Sequence, residues 1–291
     1  MTALVLNRLG LYARLVRIDK PIGTLLLLWP TYWALWAASG GAPDWRILLI
    51  FTAGTFLMRA AGCAINDYFD RDFDLHVQRT QARVLTTGQI KPAEALWVAG
   101  GLTICAFALV LTLNALTIKL SFLAAFLAAT YPLMKRWFGV PQAYLGVAFG
   151  FGMPMAYAAI TNEIPLVAWL LVLANICWTI AYDTEYALVD REDDIKLGLK
   201  TAAITFGQYD LIAIGAGYLG CLVLLSVVGV LNGWGLPYYA AIVTAALLAI
   251  THMRWIRQRD RDACFRAFRH NNWFGATIFV GIVLQHLTMG S

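Results

Sequence analysis

An all-α fold threaded repeatedly through a membrane is what this chain predicts, on three observations. Of its 291 residues, 60% are hydrophobic and 13% charged, with a mean hydropathy of +0.66, a composition foreign to soluble globular domains. Apolar runs long enough to cross a bilayer recur along the whole length. The 22 lysines and arginines, apart from Arg46, Arg59 and Lys119, gather in the N-terminal segment and in alternate loops. By the positive-inside rule those loops and the N-terminus are cytoplasmic.

Taken in order, residues 1–21 read as an interfacial helix, with Leu11, Leu15 and Ile18 set against Arg14 and Arg17 at helical spacing. They lack the apolar core of a secretory signal, so the first span is expected to act as one. Nine runs follow, at about 22–39, 46–65, 94–112, 116–134, 142–160, 165–182, 210–231, 236–253 and 272–288. With no Pro/Gly/Ser-rich linker among them, residues 1–291 form one transmembrane domain around a central cavity. The five cysteines have no ligand spacing and read as small core residues. Most of the eleven tryptophans, notably Trp29, Trp33, Trp36 and Trp45, are expected as interfacial anchors, with room for one to line a lipid tunnel. The net charge of +5 follows from the loop asymmetry, and nothing argues for nucleic acid.

Chemistry concentrates at the end of the second run, in Asn66-Asp-Tyr-Phe-Asp-Arg-Asp-Phe-Asp74. On a helix Asp67, Asp70 and Asp74 fall within roughly 60° of one another beside Asn66, while Asp72 points away. The sixth run ends the same way, in Tyr182-Asp-Thr-Glu-Tyr-Ala-Leu-Val-Asp-Arg-Glu-Asp-Asp194. There Asp183, Asp190 and Asp194 share a face within roughly 40°, and Glu192 lies opposite. Carboxylates at a bilayer surface are expensive and mark function. Asp72, Glu185, Glu192 and Asp193 lie off the two faces and read as solvated acids.

Both stripes follow even-numbered runs and so lie on one side, where they can meet. Thr87-Gly88 and Thr205 to Gly207 follow them at comparable places, which suggests a duplication of spans 1–4 and 5–8. Facing carboxylates suit magnesium, which takes diphosphate oxygens as further ligands. Lys135, Arg136, Arg79, Arg83, Arg17 and Lys20 lie on the same side to neutralise the rest of a diphosphate. Arg59, two turns before Asn66, is expected in or near the cavity. A cation-coupled transporter also uses membrane carboxylates, but these acids sit at span ends among phosphate-binding bases.

The two motifs, with Asp19-Lys-Pro-Ile-Gly23, Met58-Arg-Ala-Ala-Gly-Cys63, Tyr131-Pro-Leu-Met-Lys-Arg136 and Pro141-Gln142, resemble the UbiA-type intramembrane prenyltransferases from residue 17 to about 272. One departure is Arg83-Val-Leu-Thr-Thr-Gly88, where that family usually has two prolines. The resemblance, closest in the branch that acts on hydroxybenzoate, implies Mg²⁺-dependent transfer of a polyprenyl group from polyprenyl diphosphate to carbon 3 of 4-hydroxybenzoate, in a bacterial inner membrane with the site on the cytoplasmic side. Another aromatic or quinone acceptor is the nearest alternative. It further implies Asp70, Asp74, Asp190 and Asp194 as metal ligands, supported by Asn66, Asp67 and Asp183. Lys135 and Arg136 would bind diphosphate, or Arg136 the benzoate carboxylate, with Asp190 near the acceptor. Asp190 and the released diphosphate both stand as candidates for taking the ring proton.

Overall fold

A computed structural model describes residues 2–289, with side chains from Arg8 to Met289 apart from that of Lys135. Twelve α-helices run in the order α1 (Thr2–Leu15), α2 (Ile22–Ser39), α3 (Trp45–Asp74), α4 (Pro92–Val110), α5 (Ala115–Trp137), α6 (Pro141–Gly150), α7 (Gly152–Thr161), α8 (Leu166–Lys196), α9 (Ala202–Thr205), α10 (Asp210–Leu231), α11 (Leu236–Ile256) and α12 (Arg261–Met289). Helices are the expected solution, because a lone chain segment in hydrocarbon must satisfy its own peptide groups. Their starts carry caps: Asp44 accepts from the Arg46 amide at 2.8 Å, Asn114 from that of Thr117 at 2.9 Å, and Glu94 from that of Lys91 at 3.0 Å.

Among the described residues, seven helical segments are long and apolar enough to cross a membrane, α6 and α7 counting together as one. The break between those two falls where Pro154 cannot donate to the carbonyl of Gly150. Helices α2 and α12, expected as the first and last of nine spans, fall outside that set. Pro30 and three tryptophans lower the hydropathy of α2, and Asn272, Gln285 and His286 lower that of the uncharged part of α12.

Two helices outrun the bilayer. With 30 and 31 residues, α3 and α8 are each about 45 Å long at 1.5 Å per residue, against a hydrocarbon core of about 30 Å. Their apolar residues fill roughly the first two thirds of each helix, and the last turns carry the acids.

Helix α8 stands at the centre, packed on α6, α7, α9, α10 and α12. Close approach is built on glycine: a Cβ at Gly146 would lie 2.7 Å from the Ile176 Cα, and one at Gly217 the same distance from the Cys177 carbonyl oxygen. Trp33, Trp178, Tyr182, Tyr238 and Phe274 fill the main core. Trp33 is thus no interfacial anchor. It is fully buried and its indole donates to the Gly275 carbonyl, while Trp29 donates to Asn272. Sequence position near a span end could not separate a core tryptophan from a belt one, since both have an indole N–H to satisfy. On the other side of the molecule α3 packs mainly on α4, and α4 and α5 turn Trp97, Leu123 and Phe126 outward, as lipid-facing helices do.

Candidate active site

One large cavity, of about 880 Å³, opens between the acid-bearing ends of α3 and α8 and runs down between α2, α3, α4, α5 and α7. Its inner wall is apolar, with Leu26, Phe51, Phe107, Phe122, Phe149 and Met155 among its lining. Its mouth is polar and charged. Arg17, Lys20, Asn66, Asp67, Arg79, Arg83, Asp183 and Tyr186 all line it.

Geometry sorts the acids by depth. Asn66, Asp67 and Asp183, the innermost member or members of each motif, face the cavity. Asp70, Asp74, Asp190 and Asp194 lie outside the lining. Counted from Asp67 and Asp183, they stand one to three turns further along their helices, about 5 to 17 Å at 1.5 Å per residue. Asp70 accepts from the Asn66 amide at 3.0 Å. Asp74, 5% exposed, takes Arg83 at 2.6 Å, and the same guanidinium nitrogen stands 3.0 Å from Asp67. Asp67, 2% exposed, takes a second arginine, Arg17, at 2.5 Å. Burial pulls the Arg17 guanidinium down, but Asp67 beside it more than compensates, so it sits above its ordinary value and stays charged.

The second stripe is joined to the first half of the chain. Arg79, in the loop after α3, grips Asp190 with Nε at 3.0 Å and an NH2 nitrogen at 2.5 Å, and lies 4.6 Å from the centre of the Tyr186 ring. That bidentate pair, with a cation over an aromatic face, ties the loop to α8. Asp194 is buried one turn further on. Asp67 of the first stripe and Asp183 of the second thus line one cavity, and Arg79 ties the loop after α3 to the second stripe.

Magnesium fits this donor set in a particular way. The oxygens are hard, and guanidinium groups already stand among Asp67, Asp74 and Asp190 at cation distance. Among the described residues no three His, Cys, Asp or Glu side chains converge as a ready cage.

Other expected bases divide. Arg136 is exposed, donates to the Phe69 carbonyl at 3.1 Å, lies 5.6 Å from the Phe73 ring and is absent from the lining. The Lys135 side chain lies outside the described residues. Arg59 does reach the cavity. It contacts Cys63, its buried Nε has no partner, and it forms no ion pair among the described residues. Gly23 makes the room: a Cβ there would meet the guanidinium at 2.6 Å from Nε and 2.9 Å from Cζ.

Comparison with known proteins fits this architecture. A model of the UbiA prenyltransferase family matches residues 27–275. The chain belongs to that family. Among its relatives, the 4-hydroxybenzoate octaprenyltransferase of Cupriavidus metallidurans is 61% identical over 281 residues, covering 97% of this chain and 96% of that one. The enzyme of that name from Thiobacillus denitrificans is 59% identical with the same coverage. Among solved structures, a UbiA homolog from Aeropyrum pernix K1 superposes with a TM-score of 0.79 at 25% identity, over 90% of this chain and 97% of that one. A homolog from Archaeoglobus fulgidus bound to GPP and Mg²⁺ shares the fold, with a TM-score of 0.70 at 17% identity over 94% of this chain and 99% of that one.

Sequence reasoning missed the role of Glu185. Placed among solvated acids by its angle off the metal face, it is fully buried on the opposite side of α8. Tyr182, one turn before it, is buried too, and that neighbour was the signal that α8 has no solvent face at this level.

Proposed function

We propose that this protein transfers a polyprenyl group from a polyprenyl diphosphate to carbon 3 of 4-hydroxybenzoate, in a bacterial inner membrane and with the site at its cytoplasmic face. The observation that carries the reading is the meeting of two acid stripes and four bases, Arg17, Lys20, Arg79 and Arg83, at the mouth of an apolar cavity. Charge at the mouth suits a diphosphate, and the apolar wall suits an isoprenoid tail. The names of the relatives at about 60% identity supply the substrate pair.

Asp67 and Asp183, with Asn66, would hold the metal from the cavity side, and Asp70, Asp74, Asp190 and Asp194 would support them from the rim. A divalent ion bound there supplies charge neutralisation for a departing diphosphate. Arg17, Arg79 and Arg83 bind the remaining phosphate oxygens and hold the anion at the mouth while the tail lies below. The allylic carbon is thereby left in the apolar part, away from water.

The acceptor needs a cation for its carboxylate, and Arg59 fills that need better than Arg136. It lies inside the cavity with an unpartnered buried nitrogen, which a carboxylate oxygen would satisfy. The phenol oxygen enriches the ortho carbon, which attacks the allylic carbon as the C–O bond to diphosphate breaks. Loss of the ring proton then restores aromaticity. Asp190 turns its carboxylate to Arg79 rather than to the cavity, so the released diphosphate is the favoured proton acceptor.

Purified protein in detergent, given magnesium, a polyprenyl diphosphate and 4-hydroxybenzoate, is expected to yield the 3-prenylated acid. Absence of that product, or an undiminished rate in both Asp183→Ala and Asp190→Ala, would refute the reading.

A further inference from the structure

Behind the second stripe, on the far side of α8 from the cavity, lies a hydrogen-bonded node that the reaction does not touch. Glu185 is its centre, 0% exposed and without a salt bridge among the described residues. Three helices converge on it. Tyr218 of α10 lies 2.9 Å from Oε1, and the Asn271 amide of α12 donates to Oε2 at 2.8 Å. His252 of α11 is 2.9 Å from the Tyr218 hydroxyl and passes the chain on to His270 at 2.9 Å. The Trp178 indole donates to Asn271 Oδ1 at 2.8 Å, which fixes which way the amide points.

A buried acid with no ion pair is costly in a bilayer, so its retention needs a purpose. Apolar helix packing in lipid supplies little to oppose axial sliding, because lipid tails are as apolar as the core. A node of directed hydrogen bonds has only one satisfied register. Glu185 sits two residues after Asp183, one before Tyr186 and five before Asp190 on the same rigid helix. The other polar ties of this end of α8 among those described, Arg79 to Asp190, Arg191 to Asp210 and Arg261 to Glu192 and Asp193, lie at or beyond Asp190.

We infer that Glu185 is a positioning residue: held by Tyr218 and Asn271, it fixes the height at which α8 presents Asp183 and Asp190 to a metal diphosphate. The inference rests on the proposed role of that stripe. It assigns the node to diphosphate and metal, not to the aromatic acceptor, because Arg59 and Gly23 belong to α3 and α2.

The test compares two variants in detergent. Glu185→Leu removes both acceptors. Glu185→Gln combined with Asn271→Asp exchanges amide and carboxyl, so that the pair, the Trp178 bond and the Tyr218 bond can all re-form. In Glu185→Leu, the KM for prenyl diphosphate and the half-activating magnesium concentration are expected to rise about tenfold or more, since ångström-scale misplacement is enough for such losses. The KM for the aromatic acceptor should change less than about twofold. The double variant should return both raised values to within about threefold of the parent. Binding of manganese with inorganic diphosphate, followed by the paramagnetic signal of the metal, reads the same stripe without turnover and should show the same order. Thermal transitions of each variant separate loss of fold from loss of register.

Unchanged KM values in Glu185→Leu, with activity falling only as folded protein falls, would make the node merely structural and overturn the inference. So would a double variant no better than the single one, or no manganese diphosphate binding in the parent. Failure of the parent to prenylate 4-hydroxybenzoate would sink the proposed function instead, leaving the binding series to decide the register.

Discussion

The two acid-bearing helices carry similar spacing on different foundations. On α3, Asp67 and Asp74 are held by arginines: Arg83 reaches both, and Arg17 adds a second partner to Asp67. Behind them lies only a small cluster built from Leu15, Ala61, Ala64, Val84, Leu85 and a few further residues. On α8, Asp190 takes one arginine, and the helix behind it is buried on nearly every side among α6, α10 and α12. The first stripe is arranged by charge and the second by packing. Substitutions of arginine should therefore disturb the first more than the second, whereas changes inside the bundle should do the reverse.

Removing the metal tests what both stripes share and should have the largest effect. Chelation is expected to abolish product formation, and added magnesium to restore it, in an assay of the prenylated acid. Next comes Arg83→Ala, which leaves Asp67 and Asp74 facing each other without their common cation. A loss of about 10²-fold in kcat/KM is expected, of the size seen when one electrostatic partner is removed from a site. Arg79→Ala should lose less, because α8 is held by its packing. The reverse order in steady-state kinetics would break the contrast between the two stripes.

A smaller and more selective effect is expected from Gly23→Ala. The added methyl group displaces the Arg59 guanidinium, the movable end of a side chain. The KM for 4-hydroxybenzoate should rise about tenfold while that for prenyl diphosphate stays near the parent value, a split that marks lost ground-state binding of one substrate. The smallest effects belong to Asp72→Ala and Glu192→Ala. Both acids are exposed and make only loose surface pairs, Asp72 with Arg71 at 3.7 Å and Glu192 with Arg261 at 3.4 Å. Rates within about twofold of the parent are expected for each.

Much of this was legible in the sequence because helical periodicity is local. The spacing Asp67, Asp70, Asp74 and Asp183, Asp190, Asp194 gives a face from the chain alone, and it separates the exposed Asp72 and Glu192 from it. Depth is not local. Whether Asp67 or Asp74 touches the cavity depends on where neighbouring helices stop, so the motifs alone set the outer acids ahead of the inner ones. The same holds for Arg136, whose motif pointed to the site while its side chain lies against Phe69 and Phe73. Glu185 was misplaced for a related reason. Angle shows which side of α8 it occupies, but only the packing of α10, α11 and α12 decides whether that side meets water. Gly23 stands in the sequence only as the end of the Asp19-Lys-Pro-Ile-Gly23 motif, and the reason for a glycine there comes from the Arg59 side chain against it.

The arginines at the mouth have a consequence for how the protein waits between turnovers. Each guanidinium that neutralises a carboxylate is equally suited to a phosphate oxygen. An incoming anion can therefore be received by a change of partners over a few ångströms, with no charge drawn through the apolar interior. A divalent ion arriving with the anion would take the arginines' place beside the aspartates, so that neither state leaves bare acids beside hydrocarbon. The departing anion meets the opposite exchange, as Arg17, Arg79 and Arg83 return to their aspartates and compete with it for the same nitrogens.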